Sequence, residues 1–239
     1  MLVHAARVAL APILYAQARR LRAIALELPE PRGPRQGVEG EGERRLSVLV
    51  AGDSSAAGVG ADTQDEALAR PLAADLARRL QARVAWQLVA RTGLTSEGLL
   101  RFLQSQPVAP ADVAVIVVGV NDLTSEVPLR HALRWRREIA DWLRAHAGVQ
   151  RVIFASMPAM ERFPLIPQPL AWYAGLHARR NNTVQARWVR SLAGTSHVDL
   201  GGLTRAEWMA RDGYHPAPPL YAQVAVRIAS AIFDATRAG

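Results

Sequence analysis

Val113-Ala114-Val115-Ile116-Val117-Val118 is an unbroken apolar run, and Gly119-Val120-Asn121-Asp122 follows it at once. A run this short and this rich in branched residues reads as a strand buried on both faces, the kind found in parallel sheets. Similar runs lie on either side: Leu46 to Ala51, Val84 to Val89, Arg151 to Ala155 and His197 to Leu200. Between them the apolar period changes to that of a helix. Leu68, Leu72, Leu76 and Leu80 recur every four residues within Gln64 to Gln81. Further helices are expected over Thr95 to Gln104, Leu129 to Ala147, Trp172 to Leu192 and Leu220 to Ala235, with Trp135, Ile139 and Trp142 marking one face of the helix over Leu129 to Ala147. Strands alternating with helices imply right-handed crossovers and a five-stranded parallel sheet covered by helices. No internal repeat of fixed period interrupts the pattern.

The compact domain is expected to span 46–239. Ahead of it, residues 29–45 carry Pro29, Pro31, Gly33, Pro34, Gly37, Gly40 and Gly42 among alternating charges, which reads as a linker. Residues 1–28 hold an apolar stretch, Val8 to Ala18, too short to span a bilayer. Three readings stay open for it. It is a helix docked on the domain or on a partner chain, an amphipathic helix on an anionic membrane surface with Arg19, Arg20 and Arg22 at the water side, or a weak signal peptide ending at Ala16-Gln17-Ala18.

Composition removes several chemistries. The chain of 239 residues has no cysteine, so disulfides, thiolate metal sites and a cysteine nucleophile are excluded. All 29 of its Lys+Arg cations are arginine, against 21 acids, for a net charge of +8. Without lysine there is neither a Walker-type phosphate loop nor Schiff-base chemistry. The arginines are scattered singly and in pairs, without interleaved aromatics, so a nucleic-acid partner is not expected. His4, His131, His146, His177 and His197 form no metal-ligand spacing, and no metal or cofactor is expected.

In a parallel α/β sheet the site forms beyond the carboxyl ends of the strands. Four segments sit there: Gly52-Asp53-Ser54-Ser55 after the first strand, Arg91-Thr92-Gly93 after the second, Gly119-Val120-Asn121-Asp122 after the third, and Asp212-Gly213-Tyr214-His215-Pro216 beyond the fifth. Ser54 in a strand-to-helix turn presents a hydroxyl that becomes nucleophilic once a base takes its proton. His215 fits that base. Asp212, three residues earlier, fits the carboxylate that orients the imidazole. The Ser54 N–H, the Gly93 N–H and the Asn121 amide come from three adjacent strand ends and fit an oxyanion hole. Asp53 is expected to brace the nucleophile loop, and Asp122 to cap the helix after the third strand. A lipase-type G-x-S-x-G elbow fails at Ala56, and a dinucleotide fingerprint from Gly58 fails at Thr63.

These four blocks resemble those of the SGNH hydrolases, the GDSL family of esterases and lipases. Gly52-Asp53-Ser54, Gly93, the G-x-N-D of Gly119 to Asp122 and the D-x-x-H-P of Asp212 to Pro216 carry the resemblance, which runs from Leu46 to the C-terminus. It implies a flavodoxin-like three-layer α/β/α sandwich. It also implies an ester hydrolase with Ser54, His215 and Asp212 as the triad, and Ser54, Gly93 and Asn121 as the oxyanion hole. The sequence departs from the family at Ser55, where leucine is common.

The segment from Met157 to Tyr173 follows the fourth strand and is unusually apolar for a loop. It is expected to wall a pocket for a small-molecule ester, with Met160, Phe163, Leu165 and Ile166 as its lining. Thioester or lysophospholipid hydrolysis, carbohydrate deacetylation and a non-catalytic binding role remain as alternatives on the same fold.

Overall fold

The computed structural model describes residues 2–237, with side chains from residue 10 to 236. A central sheet holds five parallel strands: β2 (Arg45–Gly52), β3 (Arg83–Ala90), β4 (Val113–Val117), β5 (Arg151–Ala155) and β6 (Thr195–Val198). Their spatial order, β3-β2-β4-β5-β6, is that of a flavodoxin-like doubly wound sheet. Period-two alternation on the strands feeds both faces. Leu49, Ala51, Ala114 and Ile116 enter one cluster, while Val48, Val50, Val113 and Val115 enter the other. Helices α3 (Ala69–Leu80) and α8 (Pro218–Arg237) cover one face. Helices α4 (Ser96–Ser105) and α6 (Leu129–Ala147) cover the other, joined by the last turn of α7 (Leu170–Val189). The result is the expected three-layer sandwich.

The sheet has a sixth strand. β1 (Gln36–Glu39), within the stretch expected to be a linker, pairs antiparallel with β3, Gln36 opposite Gln87 and Glu39 opposite Val84. An edge strand needs partners on one side only, so a polar Gln-Gly-Val-Glu segment suffices; Gly37 passes over the Trp86 ring, which a Cβ there would crowd at 3.0 Å. The first crossover helix is also shorter than its leucine spacing suggests. Gln64 is buried and donates to the Ala57 carbonyl at 3.0 Å, which holds residues 64–68 in turns before α3 begins.

Helix α1 (Leu2–Ile24) runs through Pro12 and lies against the segment that follows β5. Leu14 is buried, Leu21 packs on the cluster of Met157, Met160, Phe163 and Ile166, and the Gln17 amide bonds the Gln168 carbonyl at 2.6 Å and the Leu170 N–H at 3.1 Å. Ile13, Tyr15 and Ile24 on the same helix are exposed. Among the described residues, no helix is long and apolar enough to cross a membrane.

Register places the site. Gly52 at the end of β2 stands beside Ala90 of β3 and Val117 of β4, so these three strands finish level and their following turns share one edge of the sheet.

Candidate active site

The nucleophile turn is built by close backbone approach. A Cβ on Gly52 would sit 1.9 Å from the Val117 carbonyl oxygen, so only glycine lets β2 turn there. The next residue, Asp53, caps the single-turn helix α2 (Ser54–Ala57), its carboxylate accepting from the Ser55 N–H at 3.0 Å. This is the bracing role expected of it. Ser54 opens α2, where a helix leaves its first N–H groups without intrahelical acceptors.

His215 arrives from the segment before α8, 161 residues away in the chain. Its Nε2 lies 2.9 Å from Ser54 Oγ, and its Nδ1 lies 2.6 Å from Asp212 Oδ2. The other Asp212 oxygen accepts from the Tyr214 and His215 N–H groups, each at 3.0 Å, so the loop itself fixes the carboxylate. Asp212 is buried while the His215 side chain keeps 15% of its exposure, which leaves its free edge open to solvent. With Nδ1–H donating to the carboxylate, Nε2 is the acceptor for the serine hydroxyl proton.

Asn121 stands on the short helix α5 (Val120–Thr124), after Gly119 at φ 149°. A Cβ at Gly119 would meet Arg136 Nη2 at 2.8 Å, so that position is filled from beneath. One Asn121 amide hydrogen goes to the Leu94 carbonyl, at 3.1 Å. The amide has a second hydrogen to offer the cleft. Gly93 lies one residue before Leu94, exposed at φ 84°, and does not itself line the cleft. Ser54, Asn121, His215, Phe163, Met209 and Tyr214 are among the walls of the cleft.

The expected pocket residues divide. Phe163 lines the cleft, edge-on to Tyr214. Met160 and Ile166 do not line it: they are buried with Met157 in the cluster under α1. Leu165 does not line it either; its N–H donates to the Gly213 carbonyl at 3.1 Å, securing the Asp212 loop. The apolar segment is thus mostly a core of its own, because α1 and α7 close over it.

A model of the GDSL-like lipase/acylhydrolase family matches residues 50–223. The chain belongs to the GDSL-like lipase/acylhydrolase family. The GDSL-like esterase Rv1075c of Mycobacterium tuberculosis is 29% identical over 212 residues, covering 85% of this chain and 67% of that protein. Solved structures share the fold, two of them as follows. The lipase Lip_vut3 from a goat rumen metagenome matches with a TM-score of 0.61 at 19% identity, over 78% of this chain and 97% of its own. The psychrotrophic esterase EstA from Pseudoalteromonas, solved inhibited by monoethylphosphonate, matches with a TM-score of 0.59 at 16% identity, over 80% and 99%. Ester hydrolysis is accordingly the chemistry of the GDSL fold seen here, and the block that gives the family its name ends in Ser55 in this chain.

Asp122 of the G-x-N-D block does not cap α5. It is buried and accepts from Ser96 N at 2.8 Å and Ser96 Oγ at 2.6 Å, which ties the turn after β3 to the turn after β4. Arg136, 1% exposed, lies beneath both turns. It donates to Asp122 Oδ2 at 3.0 Å, Ser96 Oγ at 3.1 Å, Asn181 Oδ1 at 3.0 Å and Gln185 Oε1. Burial pulls the guanidinium below its ordinary value, and the Asp122 carboxylate opposes that shift. The sequence held one signal for this network. Arg136 occupies an inward position on α6, between Ala132 and Ile139, where an apolar residue is the rule. Burial pushes the Asp53 carboxyl up to about 7, offset in part by the Ser55 N–H. Among the described residues no cluster of His, Asp or Glu is arranged to hold a metal ion.

Proposed function

We propose that this protein hydrolyses carboxylic esters through an acyl-enzyme formed on Ser54. The observation that carries the reading is the continuous relay from Asp212 through His215 to Ser54, at 2.6 Å and 2.9 Å. Ser54 Oγ attacks the ester carbonyl as its proton passes to His215 Nε2, and Asp212 stabilises the imidazolium. The oxyanion is held by the Ser54 N–H and the second Asn121 amide hydrogen. Collapse of the tetrahedral intermediate breaks the ester C–O bond. The alcohol leaves with the proton from His215, and the acyl group stays on Ser54. Water then enters, gives a proton to His215 and attacks the acyl carbonyl. Collapse returns that proton to Ser54 and releases the carboxylic acid.

Turnover of p-nitrophenyl acetate by wild type and by Ser54→Ala tests this directly. The variant, with its backbone N–H intact, is expected to keep its fold and lose about three orders of magnitude or more in kcat. Turnover within about tenfold of wild type would reject the assignment.

A further inference from the structure

Behind the nucleophile turn lies a second cavity, open to solvent on one side. It shares Asp53, Ser55, Val120, Pro158, Pro216 and Leu220 with the reacting cleft, so the two spaces adjoin along one wall. From there it runs under the ends of β4 and β5 towards α8, where Leu68, Val118, Leu200, Tyr221 and Val224 line its inner part. Of the polar side chains lining it, Ser156, Tyr221 and Thr204 are already engaged with the protein, while Asp53 and Ser55 stand on the wall shared with the cleft. Ser156 Oγ bonds Asp199 at 3.3 Å and the Leu200 N–H at 2.8 Å. The Tyr221 hydroxyl donates to the Val59 carbonyl at 2.8 Å, and Thr204 Oγ1 accepts from the Ala159 N–H at 3.1 Å. A ligand entering this space finds an apolar lining and few hydrogen bonds to make, which selects an aliphatic chain over a sugar or a charged group.

We infer that this cavity is the acyl-chain subsite, so that the preferred substrates are esters of linear aliphatic acids longer than acetate. The inference rests on Ser54 carrying the acyl group. The order of events decides which arm of the ester enters. The alcohol leaves first and makes way for water, which suits the solvent-facing side of His215. The acyl chain stays attached until the second half of the cycle, which suits an apolar pocket directly beside the nucleophile turn. Ser55 fits the same picture, because its small side chain lies on the shared wall where a leucine would narrow the passage.

The test is a series of p-nitrophenyl esters (acetate, butyrate, hexanoate, octanoate) beside a series of acetates with lengthening alcohols. Each methylene that enters the cavity is expected to raise kcat/KM about fourfold, so butyrate, with two more, should exceed acetate by about sixteenfold. The rise should stop where the cavity is full. Val224, half-buried on α8, offers a wall that can be enlarged: Val224→Phe should move the optimum to a shorter acid. Leu200→Ala should move it to a longer one, and two shifts of opposite sign cannot come from general damage. Thermal melts identify a variant that fails to fold, in which case the other variant and the wild-type series decide.

A flat acyl series in wild type, identical profiles in the folded variants, or a steep dependence on alcohol length instead would overturn the inference while leaving the Ser54 chemistry standing. Unchanged turnover in Ser54→Ala would remove the proposed chemistry, and the subsite with it.

Discussion

Replacing Arg136 with methionine tests what holds the turns of the site together. The guanidinium is 1% exposed and donates to four side chains, of which Asp122 is its ion-pair partner. Methionine fills similar length along the stem but supplies no donor. The Asp122 carboxylate then stays buried with only the two Ser96 donors. Removing one partner of a buried pair costs about 3–5 kcal/mol, because the remaining charge is uncompensated. The Asn181 and Gln185 carbonyls also lose their donor, at about 1–3 kcal/mol each when fully buried, so the upper end of the first range is expected. Stability from urea denaturation, followed by circular dichroism at neutral pH, measures it. Adding Asp122→Asn to Arg136→Met removes the stranded charge, while the Asn oxygen still accepts from Ser96. The double variant should therefore cost less than the sum of the singles by about 1–3 kcal/mol. A single-variant cost below about 1 kcal/mol, or strict additivity of the two changes, would refute the reasoning.

Three further outcomes are expected. Burial raises the Asp53 carboxyl to about 7, whereas in the unfolded chain it titrates near 4. The folded state therefore holds a proton that the unfolded chain gives up, and this group's contribution to stability is complete below about pH 4 and lost as pH rises to about 7, at roughly 1 kcal/mol per pH unit. Asp53→Asn abolishes that slope, so its stability relative to wild type should rise between pH 4.5 and 7.5 in paired urea titrations; a constant difference would contradict it. Asp212→Asn should lower kcat on p-nitrophenyl acetate by about 10³–10⁴-fold, because the His215 tautomer is no longer fixed. Asn121→Ala should lower kcat by about 10²-fold with little change in KM, the pattern of a donor used in the transition state alone.

The parts of the molecule that read easily were those where local chemistry and global role coincide. The doubly buried run of β4 has no other comfortable environment, and the turns that carry Ser54, Gly93 and Asn121 lie within a few residues of a strand end. Asp212 and His215 sit on one tight loop, so three positions of spacing already brought them together. What escaped was set by distant contacts. β1 is a strand only because the outer edge of β3 is there to pair with it, and its own four residues carry no pattern. Met160 and Ile166 look like pocket residues in a loop, but α1 and α7 cover them. The second cavity is lined by residues from Asp53 to Val224, so no stretch of sequence describes its shape. Arg136 gave a faint sign, a charged residue on the inward face of α6, yet its four partners lie on α4, α5 and α7.

The proposed chemistry requires that Ser54 be the residue that becomes acylated. An alkyl fluorophosphonate reacts with an activated serine and leaves a stable adduct, which peptide mapping by mass spectrometry assigns to a residue. One adduct per chain is expected, on the peptide containing Ser54, absent from Ser54→Ala and formed about a hundredfold more slowly in His215→Ala. An adduct on another residue, or an undiminished rate in His215→Ala, would contradict it.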